Sequence, residues 1–201
     1  AGAALILFAT LSRDADPIAR PAAVTHSIAV LPFTDMSEAQ DQGYFADGMA
    51  EEILNRLTRS GGLRVIARTS SFVFRGQAAD IREIAETLGV SHVLEGSVRR
   101  SGDRVRITAQ LIAASDNAHV WSDTFDRELG DLFAVQDEIA ASVASALQIQ
   151  LATTPTVGRP PASAEAYEKY LQGRFFHNRR GPGDTRLGMS HFQQAVELDP
   201  L

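Results

Sequence analysis

The residues of this chain that could bind or transform a ligand fall into a few local groups. Arg64, Arg68, Thr69, Ser70 and Ser71 place two guanidinium groups among three hydroxyls, at the end of a short apolar run from Leu63 to Ala67. That chemistry suits an anion, and open α/β sheets bind ligands beyond the carboxyl ends of their strands. The competing reading is a strand end followed by a polar loop. A second group is acidic: Asp35, Asp41, Asp47, Glu51 and Glu52. Carboxylates so close in sequence suit a cation, yet Asp47, Glu51 and Glu52 fall in the first turns of an expected helix, where the positive end of the helix dipole attracts acids without any ligand. His26, His92, His119, His177 and His191 have no zinc-ligand spacing, and the chain has no cysteine, so structural or surface roles are expected for them. There is no Gly-Lys-Ser or Gly-Lys-Thr phosphate loop, no G-x-G-x-x-G and no G-x-S-x-G, and Lys169 is the single lysine. The chain therefore reads as non-enzymatic, with no catalytic residue, cofactor or metal assigned and any small-molecule ligand unknown.

The elements that would position these groups follow from composition and periodicity. With 201 residues, 44% hydrophobic and 22% charged, the chain can bury one ordinary core and add a smaller element. A net charge of -6 without a long basic run excludes nucleic acid as the expected partner of this fragment. The arginine pairs Arg99-Arg100 and Arg179-Arg180 sit beside turn signals and read as solvated turns.

Residues 1–11 are apolar apart from Gly2 and Thr10. The run is shorter than the ~20 residues of a spanning helix, so it reads either as the second half of a transmembrane or signal segment or as a tail of moderate hydrophobicity. Its visible flank, with Arg13, Asp14 and Asp16, carries no basic cluster, which favours the outer side of the membrane. Residues 12–25, with Pro17 and Pro21, read as a linker.

From Ile28 to Phe33 the pattern is that of a buried strand ended by Pro32. A helix is expected from about Ala46, with Met49, Ile53 and Leu57 on one stripe and Gly61-Gly62 as its stop. A strand at Leu63 to Ala67 and a loop from Thr69 to Ala79 follow, the loop carrying Phe72 and Phe74. Asp80 and Glu83 have capping-box spacing ahead of a short helix with Ile81, Ile84, Ala85 and Leu88 inward. The period then changes to two. His92 to Val98, a turn at Arg100 to Asp103, the alternating run Val105, Ile107, Ala109, Leu111, and His119 to Phe125 describe three hairpin-linked strands. Trp121 on the last strand is expected to pack in the core. Leu132, Val135, Ile139, Val143 and Ala146 mark a long amphipathic helix to about Leu151. Parallel strands with crossovers followed by antiparallel hairpins give a mixed sheet covered by helices, an α/β domain over residues 26–152. Pro155, Pro160 and Pro161 mark a linker at 153–163.

Residues 164–201 carry the most interpretable motif. Leu171, Gly173 and Phe176, then Gly188, Phe192 and Ala195, then Pro200, follow the small-and-large alternation of a tetratricopeptide helix pair. The loop Arg179 to Gly183 makes the unit about three residues longer than usual, the consensus tryptophan is missing, and glycine stands at 188 where alanine is usual. An ordinary helical hairpin is the plainer alternative. One repeat cannot bury its own face, so more repeats are expected to follow, offering a protein or peptide partner a concave surface.

The segments IAVLPF (28–33), GYFADGMAEEILNRL (43–57), LRVIARTSSFVFRG (63–76), IREIAETLGVSHVLEGSVRRSGDRVRITAQLI (81–112) and HVWSDTFDREL (119–129) resemble the TolB-amino-terminal-like domain, which occurs in bacterial proteins with tetratricopeptide repeats. The resemblance covers about residues 26–152 together with the repeat. It implies a three-layer α/β fold and a signalling or scaffolding role. Together with the outer-side flank of residues 1–11, the leading reading is an extracytoplasmic sensory or protein-interaction module of a bacterial inner-membrane signalling protein, this part periplasmic. Two other readings stay open: the regulatory half of an adenylate cyclase, and a soluble or periplasmic scaffold that recruits partners through its repeats.

Overall fold

The computed structural model describes residues 26–59, 62–77, 79–149 and 163–200. The apolar segment 1–11, the linker 12–25 and all but the last residue of the linker 153–163 lie outside them.

The first strand, β1 (His26–Val30), is followed by β2 (Thr34–Asp35), helix α1 (Gly43–Thr58), β3 (Leu63–Val65), the single turn α2 (Arg68–Ser71) and helix α3 (Ile81–Leu88). Three long strands come next, β4 (His92–Ser101), β5 (Arg104–Ala113) and β6 (His119–Glu128), then α4 (Leu132–Ala146) and a hairpin of α5 (Ala164–Arg179) and α6 (Asp184–Leu198). The sheet runs β3-β1-β4-β5-β6, with β2 also on β4. Pairings of β1 with β3 and β4, and of β2 with β4, are parallel, whereas β4–β5 and β5–β6 are antiparallel. The mixed α/β sheet expected from the change of period is therefore present.

Two clusters make the core. The larger lies between one sheet face and α1, α4 and α5, and holds Ile28, Val30, Leu94, Ile107 and Leu111 against Met49, Ile53, Leu57, Ile139 and Leu171. Each such side chain contributes about 1.5–3 kcal/mol when enclosed. The smaller lies on the opposite face, where Ala29, Leu31 and Val93 meet Ile84 and Ala85 of α3. The parallel half is thus covered on both faces. The antiparallel half is covered on one, and its other face carries Arg106, Thr108 and Gln110 between the buried Val105, Ile107, Ala109 and Leu111.

Four local expectations change. Helix α1 starts at Gly43, earlier than Ala46, because the Asp35 carboxylate accepts the N–H groups of Ser37 (2.9 Å) and Gln42 (2.7 Å) and folds the turn ahead of it. Asp47, Glu51 and Glu52 consequently lie beyond the first turn, and the dipole explanation does not hold for them. The segment from Thr69 is not an open loop. It forms α2 and a 3-10 turn, Phe72–Phe74, because Phe72 packs on the larger cluster and Phe74 on the smaller. Helix α4 ends at Ala146, with Gln148 in the left-handed region at φ 56°. The capping box gives way to a simple cap: Asp80 accepts the N–H of Arg82, one residue short of Glu83, at 2.8 Å, and Gly89 closes α3.

Candidate functional site: the seat of the helical hairpin and the strand-end cleft

Helix α5 lies against α1 and α4, and a small notch and a buried hydrogen bond fix its position. At Gly48 of α1 a Cβ would come within 2.6 Å of Leu171 Cδ2, and Leu171, 1% exposed, has nowhere to retreat. Beside it the Tyr167 hydroxyl accepts a 2.7 Å hydrogen bond from Gln136 Nε2 of α4, both residues buried, and the Tyr167 ring sits 4.6 Å from that of Phe133. Burial, above all, and then the nearby Glu52 charge push the Tyr167 hydroxyl pKa up.

Around this apolar seat runs a ring of charge. Arg174 of α5 binds both Glu51 and Glu52 of α1. Arg68 of α2 places Nε 3.1 Å from the other Glu51 oxygen, an ion pair angled too poorly for a hydrogen bond, and its guanidinium covers the Phe72 ring at 4.1 Å. Asn178 adds a 3.3 Å bond to Glu51. Glu52 also accepts from Arg56, which reaches Asp137 of α4. At the other end of α5, Glu168 accepts from the Tyr44 hydroxyl and from Arg100 at 3.0 Å. Burial pushes the Glu168 carboxyl up, but those two hydrogen bonds and the Arg100 charge outweigh it, leaving it below the ordinary glutamate range. Glu51 and Glu52, two of the acids that the sequence attributes to a helix start, therefore form an anionic part of the surface on which α5 docks. Arg100, read as part of a solvated turn, instead holds Glu168 of α5, and no local pattern signals that role.

The helical pair is itself held by close approach. A Cβ at Gly173 would meet the Phe192 ring at 2.6 Å, and one at Gly188 would meet the Gly173 carbonyl at 3.1 Å. Phe176 stacks on His191 with centroids 5.5 Å apart. The long connection is locked by the buried Asp184 carboxylate, which accepts from Gly181 N (2.7 Å) and Arg179 (3.0 Å). Of the motif residues, Leu171 faces the α/β domain, Gly173, Gly188 and Phe192 form the helix contact, Ala195 is half-buried and Pro200 is exposed.

The five residues Arg64, Arg68, Thr69, Ser70 and Ser71 do not converge. Arg64 donates to the Gly89 carbonyl at 2.7 Å, Arg68 is taken by Glu51, Thr69 and Ser70 are exposed, and buried Ser71 turns back to the Ala67 carbonyl. A cleft of about 550 Å³ opens instead at the carboxyl end of β1, between residues 74–77 with Ala79, α3 and the polar sheet face. Its walls include Leu31, Phe74, Ile81 and Ile84, and Glu95 and Gln110 also line it. Arg75, also at the cleft, is bound to Asp47 of α1. Burial dominates at Asp47 and holds its carboxyl above the ordinary range, against the hydrogen bond and charge of Arg75. His26 and His92, 6.1 Å apart, sit together at the opposite end of the parallel strands, where burial first and then the His26 charge lower the His92 pKa. Among the described residues no group of His, Asp and Glu has metal-binding geometry, and no helix is long and apolar enough to cross a membrane.

An α/β domain of mixed sheet with a helical hairpin fixed to it by an apolar notch and arginine–carboxylate pairs defines the class. The chain belongs to the family described as HilA/YgeH-like transcriptional regulator, second domain, whose model matches residues 24–142. Over 177 residues, 87% of its length, it is 46% identical to a protein of Rhizobium meliloti (strain 1021) named "Putative adenylate cyclase 3" and spans 30% of that protein. Solved structures that it resembles include TolB from Acinetobacter baumannii (TM-score 0.46, 14% identity, 61% of this chain and 28% of that one). Lipoprotein GNA1162 from Neisseria meningitidis is another (TM-score 0.46, 20% identity, 61% and 99%).

Proposed function

We propose that this chain is a non-enzymatic regulatory and protein-interaction module of a larger bacterial membrane signalling protein. It lies on the periplasmic side of the inner membrane and is joined to its output domain through the amino-terminal segment. One observation carries this reading: α5 is seated in the core of the α/β domain by Leu171, Tyr167 and the Glu51–Arg174 pair, so a partner held by the hairpin acts directly on the sheet domain. The hairpin itself is the first tetratricopeptide repeat of an array, its close approach set by Gly173 and Gly188. Support comes from the company that the domain keeps. It is similar to a domain of transcriptional regulators and to a stretch of a protein named as a cyclase, and a module attached to different outputs does the work common to both, which is reception. A second reading, the regulatory half of an adenylate cyclase, is favoured by the 46% identity to that relative.

Two measurements test these readings. The purified chain is expected to form no cyclic AMP from ATP, and formation would overturn the non-enzymatic reading. In the larger protein, removal of residues 26–200 is expected to change output activity several-fold at equal protein level. An output that is indifferent to the removal would leave only a passive tether.

A further inference from the structure

Crossover β1–α1–β3 runs over one face of the sheet, and crossover β3–α3–β4 runs over the other. The winding therefore reverses between β1 and β4, and such a reversal leaves a crevice outside the carboxyl ends of the two strands, where open α/β sheets hold ligands. The 550 Å³ cleft opens beside that reversal, just beyond the carboxyl end of β1 and over the middle of the ten-residue β4, and its size is within the range of small-molecule sites. Glu95 shares a sheet face with buried Val93, and Gln110 is its partner in the β4–β5 register, so both project to the α3 side. Both are half-buried, and among the described residues neither side chain forms a hydrogen bond or ion pair. The other charges at the cleft are engaged: Asp35 accepts from Ser37 and Gln42, and Arg75 is bound to Asp47. Glu95 is thus a carboxylate without a counter-charge beside apolar walls, and a partly desolvated carboxylate gains most from a cationic donor.

We propose that this cleft binds a small organic cation, an amidine or guanidine with an apolar body. The head pairs with Glu95 and Gln110, and the body lies against Leu31, Phe74 and Ile84. Calling that ligand a signal rests on the regulatory reading above; the binding does not. The cleft wall is also tied to the hairpin. Arg75 at the cleft is held by Asp47, Arg68 of the same segment is held by Glu51, and Glu51 holds Arg174 of α5. A ligand that shifts the 68–77 segment pulls on the seat of α5 through two ion pairs.

The probe is benzamidine, titrated into the isotope-labelled chain and followed by amide NMR shifts, with neutral benzamide and anionic benzoate as matched shapes. Saturable benzamidine shifts are expected at millimolar concentration around Leu31 to Asp35, Glu95 to Ser97 and Gln110, without saturable shifts from the other two. Glu95→Gln is expected to weaken binding roughly tenfold or more, which is about 1.4 kcal/mol, and Gln110→Leu by a smaller factor, each with the remaining spectrum unchanged. Benzamide or benzoate binding as tightly, shifts confined to another surface, no saturable binding of benzamidine, or a Glu95→Gln variant that binds like the parent would overturn the proposal. None of these outcomes touches the regulatory reading, which the deletion experiment decides separately.

Discussion

Helices α5 and α6 have nearly the same length, 16 and 15 residues, yet they meet opposite environments. Helix α5 buries Ala166, Tyr167, Leu171 and Gly173; α6 buries only Asp184 and Gly188 and leaves Met189 68% and Val196 64% exposed. The spacing of small and large residues that identifies a helix pair describes the contact between its members. Which member docks is decided elsewhere, by the Gly48 notch and the Glu51–Glu52 acids of α1, more than 100 residues earlier in the chain.

The sharpest way to break this comparison is Leu171→Ala. Loss of an enclosed leucine costs about 2–5 kcal/mol, and urea unfolding is expected to show it, with α5 amides losing hydrogen-exchange protection. A cost near zero would mean that α5 is tethered and not seated. Gly173→Val forces a side chain into the Phe192 ring and is expected to cost about 1–3 kcal/mol, with NMR changes in α5 and α6 and not in β4–β6. Glu51→Gln removes the carboxylate charge that Arg68 and Arg174 share. The pairs are partly exposed, so the expected loss is roughly 1–2 kcal/mol, smaller at high salt, measured by denaturation at two ionic strengths. A pH series separates the Glu168 contribution. Its folded pKa is depressed, so its stabilisation is complete above the ordinary glutamate pKa and is lost as pH falls below that value through the folded one. The Glu168→Gln variant is expected to be less stable than the parent near neutral pH and to converge with it in acid. Least affected are Met189→Ala and Val196→Ala, expected within about 0.5 kcal/mol of the parent. A larger loss in melting temperature would show that the outer face of α6 is covered in solution.

Legibility in the sequence followed the range of the interaction. The switch from Met49-Ile53-Leu57 spacing to the alternation of Val105, Ile107, Ala109 and Leu111 is a local signal, and it predicts the mixed sheet correctly. The contact of Gly173 with Phe192 joins residues of a single hairpin, within reach of a local pattern. Boundaries governed by distant or capping contacts were not: α1 starts early because of Asp35, and α2 forms because Phe72 has a core to reach. The sequence places a candidate ligand loop at the carboxyl end of β3, among Arg64, Arg68, Thr69, Ser70 and Ser71. The cleft lies one strand over, because the side of each crossover cannot be read from residue types. Glu95 and Gln110 carried no signal, since a polar residue in an alternating strand reads as solvent-facing until the neighbouring layer is known.

Glu51 stands between guanidinium groups from two different parts of the chain, Arg68 on one side and Arg174 on the other. That makes the three positions unequal under mutation. Replacing Arg68 leaves Glu51 neutralised by Arg174, and replacing Arg174 leaves it neutralised by Arg68, so either arginine can drift while the other remains. Replacing the glutamate leaves Arg68 without a carboxylate and Arg174 with Glu52 alone. The docking surface therefore tolerates loss of either arginine more readily than loss of Glu51, and the route by which it can be rewired in descent runs through the arginines first.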